Sequence, residues 1–311
     1  MFMGLMATIG VTVSLNAPIA QSYFSAMLAC RYGFDDEPST IEEALKRPDG
    51  AQWWNATMEE WQSFIDRGVF EQVDLPHWRR AIDTRAVSKV KRDESNLTTR
   101  HKCRIVARGF QVQEGVDFFE TFSAMSHPVH IRQIAALAAQ NGRHTNSMDI
   151  KTAFLYGDVE EEIYITPRAE FEHLVTPGKV MKLKKAVYGL SQSGRVFYKQ
   201  LIGQIQGFRS DRISVKSATE DHCIRIIRRG ESMIIVATVV EEMFQVTNDP
   251  EFLTEFNDYI KERYVCTDNG PVKWFLGIHF QRRDDESLHL SQTALIEKML
   301  TKFWNRWEGG K

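Results

Sequence analysis

Three carboxylates stand where they could share metal ions. Asp149 ends an apolar run, and Glu241 and Glu242 form an acidic pair between two hydrophobic stretches. Phosphoryl transfer to a growing nucleic-acid strand uses two divalent cations about 3.5–4 Å apart, held by carboxylates. Magnesium prefers such oxygen ligands. The three residues are therefore candidate catalytic and metal-binding groups, although acidic pairs also occur as solvated turns and a strand-end aspartate also caps a following helix.

Basic residues upstream supply a complementary charge. Ten Lys and Arg side chains against three acidic ones give residues 79–108 about +7, which leaves about −9 for the rest of a chain of net charge −2. Lys102, Arg104 and Arg108 lie on a predicted strand, where they could neutralise charge on a triphosphate. Such a stretch fits a surface that meets a polyanion. A solvated strand face with no partner is the alternative.

Two hairpins and one strand must position these groups. The acidic pair lies between two apolar runs, Asp149 closes a third, and the basic residues follow a polar stretch that joins two segments of strand character. The predicted strands are Met233–Val240 and Met243–Val246 around the acidic pair, Met148–Ile150 at the first carboxylate, and Arg85–Val90 and His101–Phe110 in the basic hairpin.

Apolar spacing and capping residues predict the helices. Trp54, Met58, Trp61 and Ile65 recur at helical spacing and predict one buried face. Asp249-Pro250 predicts a helix start, with Asp as N-cap and Pro in the first position. Further helices are predicted at Glu37–Pro48, Ile131–Gln140, Phe197–Gly207 and from Ser291, and short strands at Glu162–Thr166, Val180–Ala186, Lys273–Phe280 and Ser287–Leu290. Strands mixed with helices, without regular βαβ alternation, predict an α+β fold.

Composition limits the class of protein. With 311 residues, 43% hydrophobic and 26% charged, the chain has the composition of a globular protein with one large or two ordinary domains. Its four cysteines share no metal-binding or disulfide spacing, so reduced thiols are expected. Residues 1–30 carry no charged side chain and lack the basic start of a secretory signal. They are interpreted as a stray or linker segment, with a membrane-associated tail as the alternative.

Several segments, in order, match one known family. HKCRIVARGFQVQEGVDFFETFSAM at 101–125 resembles the signature of copia-type retrotransposon reverse transcriptases. MDIKTAFLYGDVEEEIYITP at 148–167 is similar to the family's strand with the first catalytic aspartate, and LKKAVYGLSQSGRVFY at 183–198 to a later block. VKWFLGIHF at 272–280 and LHLSQ at 288–292 resemble segments that follow the polymerase site. The resemblance covers roughly residues 37–303.

The resemblance implies a right-hand polymerase with fingers, an antiparallel-sheet palm and a partial thumb. Residues 37–290 are then fingers and palm, 291–311 the start of the thumb or connection, and 1–36 a linker or stray N-terminal segment. The chain is expected to stop before any RNase H domain, so the integrase and RNase H regions of the polyprotein are missing partners. The implied ligands are an RNA or DNA template-primer and dNTPs, in the cytoplasm or nucleus, with no stable membrane partner.

The resemblance also assigns the carboxylates. Asp149 matches the aspartate that ligates both metals, and Glu241 and Glu242 occupy the place of the paired aspartates. The implied cofactor is Mg²⁺ or Mn²⁺.

The nucleotide contacts follow in the same way. Phe154 matches the aromatic gate that favours deoxynucleotides, and Gln192 matches the glutamine that borders the incoming nucleotide. Lys102, Arg104 and Arg108 fall on the fingers strand expected near the triphosphate.

Departures from the family pattern predict reduced activity. Glutamate for aspartate moves each carboxylate outward by about 1 Å, and a misplacement of that size can lower a rate about 10²-fold. Val239 replaces the tyrosine before the pair. Smaller departures are Ser191, Gly194, the Ser-Ala-Met run at 123–125 and Ala86. The expectation is a degenerate polymerase with weak or no activity; the alternative is a catalytically silent nucleic-acid-binding remnant of a transposon polyprotein.

Overall fold

A six-stranded antiparallel sheet contains Asp149 and Glu242, and Glu241 lies in a turn between two of its strands. The structure is a computed structural model, and it describes residues 37–92, 98–285 and 287–308. In spatial order the strands are β12 (Cys266–Pro271), β5 (His144–Ile150), β11 (Glu242–Thr247), β10 (Ser232–Val239), β9 (Ile224–Arg229) and β8 (Ser214–Ser217). The predicted strands around Asp149 and the acidic pair are confirmed.

Three smaller sheets contain the other strands. A long hairpin is formed by β3 (Thr84–Arg92) and β4 (Thr98–Ala107). A four-stranded sheet has the order β1 (Phe70–Val73), β7 (Val180–Leu183), β6 (Tyr164–Ile165) and β2 (Ala81–Ile82), and a three-stranded sheet has the order β13 (Trp274–Phe275), β14 (Ile278–Arg282) and β15 (Leu288–Ser291). The pairing of β2 with β6 is parallel. Residues 93–97, in the polar stretch that joins the two strands of the basic hairpin, lie outside the described residues.

Six α-helices accompany the sheets in the described chain. They are α1 (Ile41–Leu45), α2 (Gly50–Asp66), α3 (Pro128–Gln140), α4 (Ser193–Gly207), α5 (Pro250–Lys261) and α6 (Thr293–Glu308). The predicted start of α5 is confirmed, because the Asp249 side chain accepts a hydrogen bond from the Phe252 amide and Pro250 is the first helical residue. Residues 36–290 form one compact unit, and α6 belongs to a second unit.

The prediction of the buried face of α2 is wrong, because the observed buried face is rotated about the helix axis relative to the predicted one. Trp61 is buried as predicted, but Ile65 is 48% exposed and Trp54 is only half-buried. Trp53 and Phe64, each one residue earlier, are fully buried instead. The true stripe was hidden because small and polar residues share it, and hydrophobic spacing does not detect these. Its members are Trp53, Ala56, Thr57, Glu60, Trp61 and Phe64.

Two helices cover one face of the six-stranded sheet. The side chains of Phe197 and Leu201 from α4 and of Phe256 from α5 are buried in one cluster with Met148 and Ile150 from β5. Burying side chains of this size stabilises a fold by about 1.5–3 kcal/mol each. Because successive strand residues point to opposite faces, Asp149 lies on the face away from this cluster.

Two glycines bring the end of β4 against the turn before α4. The Ala107 amide donates a hydrogen bond of 2.8 Å to the Tyr188 carbonyl. Gly189 has a φ of +93°, and a Cβ there would overlap the Ala107 carbonyl oxygen. A Cβ at Gly109 would overlap the Gly189 carbonyl oxygen in the same way. The basic hairpin is therefore held by a direct approach of two backbones that only glycine permits.

No helix of the described part of the chain has the length and apolar character needed to cross a membrane. The linker or stray segment predicted for residues 1–36 lies outside the described residues, as does Cys30. Cys103 and Cys223 are buried free thiols, and Cys266 is a half-buried one.

Replacing Gly189 by Ala is expected to lower the free energy of unfolding by more than about 2 kcal/mol, because the new Cβ meets backbone and φ is positive. Urea unfolding measures this. The matched control is Gly203→Ala in α4, where a Cβ meets nothing within 4 Å. That substitution is expected to raise stability by about 0.5–1 kcal/mol. Similar effects of the two substitutions would contradict the close approach.

Candidate active site

Asp149 and Glu242 lie directly opposite each other on neighbouring strands. The antiparallel register of β5 and β11 pairs these two residues. The next pair along is hydrogen-bonded, since the Ile150 amide donates to the Glu241 carbonyl at 2.9 Å. Asp149 and Glu242 therefore form a pair of the non-hydrogen-bonded kind, in which side chains on one face come closest. The sheet brings together two carboxylates that are far apart in sequence.

Glu241 lies in the two-residue turn that joins β10 to β11. Val239 pairs with Glu242, so the turn consists of Val240 and Glu241, and the predicted position of the acidic pair at the tip is wrong by one residue. Pairing with β5 extends β11 to include Glu242. Val240 has a φ of +54°, a left-handed conformation that is strained for a β-branched residue. The strain lies beside a candidate catalytic group.

Arg104 on β4 reaches the acidic hairpin. Its guanidinium lies 3.4 Å from Glu241 Oε1 and stacks over the Tyr188 ring, 4.3 Å from the ring centre. The stacking holds the guanidinium in place. The basic and acidic hairpins therefore meet at this ion pair, as their charges suggest.

Lys102 lies on the same face of β4, two residues before Arg104. Burial lowers its pKa to about 8, and the like charges of Arg104 and Lys91 act in the same direction. The negative charges of Glu241 and Asp149 oppose that shift. Lys102 therefore belongs to the same local field as the carboxylates.

The environment of Asp149 favours its protonated form. Burial together with the charges of Glu241 and Glu242 raises its pKa to about 6, although Lys91 and Lys102 act in the opposite direction. Crowding of like charges in a half-buried position is an arrangement that a bound cation relieves.

The carboxylates meet part of what a magnesium ion needs. Asp149 and Glu242 offer carboxylate oxygens from adjacent strands, which suits Mg²⁺ or Mn²⁺. Among the described residues, however, no three His, Cys, Asp or Glu side chains converge as ligands of one ion. Glu241, the expected third ligand, faces Arg104 instead. Asp149 and Glu242 therefore have oxygen ligands and a placement opposite each other that suit a cation. Glu241, the third carboxylate, is paired with Arg104.

The other predicted nucleotide contacts occupy different surroundings. Phe154 lies on a 3₁₀ turn after β5, and its ring packs against Tyr188 at 4.7 Å between centroids. Gln192 is 1% exposed, and its amide nitrogen donates to the Asp117 carbonyl at 2.8 Å. Phe154 is thus joined through Tyr188 to Arg104, whereas Gln192 is buried beside a different loop.

Arg108 is not brought to the carboxylates. The predicted strand ending at Phe110 is too long, because β4 ends at Ala107 and a 3₁₀ turn over Gly109–Gln111 follows. The close packing of Gly109 on Gly189 redirects the chain there. The Arg108 side chain is exposed and forms no hydrogen bond or ion pair with any described residue.

Glu60 is a buried carboxylate that the sequence did not single out. It lies on α2 beneath β4 and is 5% exposed. Burial raises its pKa to about 7, against the charges of Arg104 and Lys102 and a hydrogen bond from the Ile105 backbone. Only the packing of α2 on β4 reveals it, since a glutamate in a helix is ordinarily exposed.

The chain matches one family over most of its length. A reverse transcriptase (RNA-dependent DNA polymerase) family model covers residues 67–305. The chain is 33% identical over 271 residues to the retrovirus-related Pol polyprotein from transposon TNT 1-94 of Nicotiana tabacum. The aligned region covers 86% of this chain and 20% of the relative. It is 28% identical over 276 residues to the Pol polyprotein from transposon RE1 of Arabidopsis thaliana, spanning 88% and 18%. It is also 34% identical over 176 residues to the transposon Ty1-BL Gag-Pol polyprotein of Saccharomyces cerevisiae, spanning 50% and 9%.

These matches define the class. The chain belongs to the reverse transcriptase (RNA-dependent DNA polymerase) family. The resemblance to the copia-type reverse-transcriptase region of retrotransposon Pol polyproteins is confirmed. The chain spans about a fifth of the length of the plant relatives described above.

Stability is expected to depend on pH through Glu60. Its pKa is about 7 in the folded chain and 4.5 ordinarily. The stability that its proton contributes is therefore complete below about pH 4.5 and is lost as pH rises through about 7. Glu60→Gln removes this loss, so the variant is expected to be more stable than the wild type by about 2–3 kcal/mol at about pH 8.

Urea unfolding at about pH 5 and pH 8 checks this. The control is Glu59→Gln, a neighbouring exposed glutamate paired with Arg100, for which a change under about 0.5 kcal/mol is expected at both values. A pH-independent effect of Glu60→Gln would show that Glu60 is ionised at no cost.

Proposed function

We propose that this chain is an RNA-directed DNA polymerase region that extends a primer on an RNA or DNA template with dNTPs by two-metal nucleotidyl transfer. The observation that carries the proposal is the register that sets Asp149 opposite Glu242, with Glu241 in the adjoining turn. Separate strands thereby supply carboxylates at one point of a sheet, as the reaction requires. The basic side chains of Lys102 and Arg104 lie on the facing hairpin.

The proposal assigns the right-hand regions to observed elements. The six-stranded sheet with α4 and α5 corresponds to the palm, and the β3–β4 hairpin with α2 to the fingers. Helix α6 corresponds to the start of the thumb. The antiparallel sheet and the long basic hairpin support this assignment.

The chain's own residues have distinct tasks in this proposal. Asp149 and Glu242 would hold Mg²⁺ or Mn²⁺, which neutralises charge on the phosphates when bound. Arg104 and Lys102 would bind the triphosphate, since guanidinium and ammonium groups stabilise phosphate oxygens. Phe154, packed on Tyr188, would border the sugar of the incoming nucleotide. Gln192 would act indirectly, because its amide nitrogen holds the loop at Asp117 through a hydrogen bond to the Asp117 carbonyl.

The same geometry supports a weakened activity. Glu241 is extended by one methylene relative to aspartate and is paired with Arg104, so a metal ligand and a phosphate ligand neutralise each other. Both must separate before substrate binds, and this separation costs free energy. The proposed enzyme is therefore slow, and the site would be improved by shorter carboxylates.

Primer extension on an RNA template tests this. With Mg²⁺ or Mn²⁺ the wild type is expected to extend slowly, and Glu241→Asp with Glu242→Asp to extend about 10²-fold faster because the carboxylates regain their reach. Asp149→Asn is expected to abolish extension. The control Glu251→Asp, an exposed residue of α5, should change nothing. Full extension by Asp149→Asn, or none by any folded variant, would overturn the proposal.

A second function is binding of template-primer without chemistry. The observation that favours it is the pairing of Glu241 with Arg104 together with the lack of a three-ligand cluster among the described residues. Such a protein keeps the basic hairpin as an electrostatic surface and has no use for the metal.

Both functions predict binding that weakens with salt. Affinity for a template-primer is expected to fall steeply between about 50 and 200 mM salt, because bound cations on the nucleic acid are released. Neutralising Lys102, Arg104 and Arg108 should reduce that slope. Lys216→Gln, on the edge strand β8, is the control and should leave it unchanged. Affinity that is constant over this range would contradict both functions.

A further inference from the structure

Three amide side chains lie within the apolar face of the six-stranded sheet. They are Asn146 on β5, Gln245 on β11 and Asn257 on α5, with exposed fractions of 9%, 0% and 3%. Asn146 is two residues from Met148, and Gln245 is two residues from Met243, so both amides face the side of the sheet that holds the apolar cluster. Amides are uncommon in such positions, because a buried amide needs hydrogen-bond partners there.

The three amides and one carboxylate form a closed ring of hydrogen bonds. The Asn146 amide nitrogen donates to Gln245 Oε1 at 2.9 Å and to Asp268 Oδ1 at 3.1 Å. The Gln245 amide nitrogen donates to Asn257 Oδ1 at 2.7 Å. The Asn257 amide nitrogen donates to Asp268 Oδ2 at 3.4 Å. We call these four residues the polar ring, and it joins β5, β11, β12 and α5.

Asp268 on β12 is the end of the polar ring that reaches solvent. It also accepts hydrogen bonds from the Gly270 amide and from Lys261 Nζ, each at 3.1 Å. Burial acts to raise the pKa of Asp268, but its hydrogen bonds and the Lys261 charge hold that pKa below its usual range. An ionised carboxylate only accepts hydrogen bonds, so it fixes the direction in which the amides of Asn146 and Asn257 point.

The polar ring depends on the register of β5 and β11. Asn146 and Gln245 lie directly opposite each other in the ladder that also pairs the two carboxylates of the candidate site. Apolar alternation opposes a slip of one residue, but a slip of two returns every side chain to its own face. Such a slip would set Asn146 opposite Met243 or Thr247 and break its bond to Gln245. A buried amide that loses its partner is costly, so the ring disfavours the slip that the apolar core tolerates.

A slip of two residues would separate the carboxylates. Asp149 would then lie opposite Val240 or Phe244, and Glu242 would be displaced along the ladder by about 7 Å. Carboxylates displaced in this way no longer bind one cation between them. The polar ring lies three residues from this pair on each strand and on the opposite face of the sheet.

We propose that the polar ring is a positioning device, which selects the register of β5 and β11 that sets Asp149 opposite Glu242. Buried amides act in this way in coiled coils, where one asparagine in the apolar seam fixes the register at a cost in stability. Asn146, Gln245 and Asn257 are therefore positioning residues that act through the strand pair. The inference rests on the proposed function for the use of that register, but the register itself is measurable without activity.

Disulfide formation between the two strands measures the register. Asp149→Cys with Glu242→Cys places thiols at the opposed pair, and Cys266→Ser removes the half-buried thiol of the neighbouring strand. Opposed residues of an antiparallel pair lie within the range that a disulfide bridges, whereas a displacement of about 7 Å prevents the bond. The initial rate of crosslinking under mild oxidation, followed by peptide mapping, reports the fraction of chains in register.

Replacing the three amides by apolar residues is expected to slow this crosslinking about 10-fold or more, because the penalty on the slipped register is removed. The variant is Asn146→Leu with Gln245→Met and Asn257→Leu in the cysteine background. Apolar side chains fill the space of the ring, so a cooperative unfolding transition in urea is expected to remain. If the triple variant does not fold, Gln245→Met alone opens the ring and is expected to slow crosslinking about 3-fold.

The matched control is Thr247→Val in the same cysteine background. Thr247 is fully buried on β11, but the hydrogen bonds of its hydroxyl go to Met233 of β10 and to Asp249. The control is expected to lose stability and to crosslink at the parent rate. An unchanged rate in a folded amide variant would overturn the inference. So would a parent that does not crosslink, or an equal loss of rate in the control, because general loosening of the sheet would then explain both.

The outcome is separable from that of the proposed function. If primer extension fails but the crosslinking rate depends on the polar ring, only the polymerase proposal falls. If extension succeeds and the ring makes no difference to crosslinking, only the positioning inference falls.

Discussion

The pairing of β5 with β11 is the constraint on which the candidate site depends. Because side chains alternate along a strand, a slip of one residue would send Glu242 to the opposite face and separate it from Asp149. The apolar core formed by β5, β11, α4 and α5 opposes such a slip, since the slip would remove Met243 of β11 from that core. Burial on one face of the sheet therefore fixes the chemistry on the other.

A second constraint brings the basic hairpin to that face. The backbones of Gly109 and Gly189 touch, and this contact sets β4 beside Tyr188. The Arg104 guanidinium stacks on the Tyr188 ring and forms an ion pair with Glu241. Positive and negative groups from remote parts of the chain are thus aligned mainly by backbone packing, and electrostatic attraction acts on an arrangement already made.

Local signals in the sequence were sufficient for the hairpins and for the start of α5 at Asp249, because strand alternation and capping depend on neighbouring residues. They failed for α2, whose buried stripe contains Thr57 and Glu60, and for the end of β4, which stops at Ala107 and not at Phe110. The ion pair between Arg104 and Glu241 was beyond prediction, because its partners are 137 residues apart. Sequence thus located the candidate groups, and packing decided which of them meet.

The left-handed Val240 has a consequence for how the hairpin responds to heat. Its conformation costs on the order of 1 kcal/mol or more, and the hydrogen bonds and packing of the surrounding strands must offset this cost. Opening the turn releases that cost, while opening the buried middle of the ladder releases nothing comparable. We therefore expect the tip to open at temperatures at which the core is intact. Such a protein would lose the alignment of its carboxylates first and its fold second, so that the melting temperature would overstate the range in which the site is assembled.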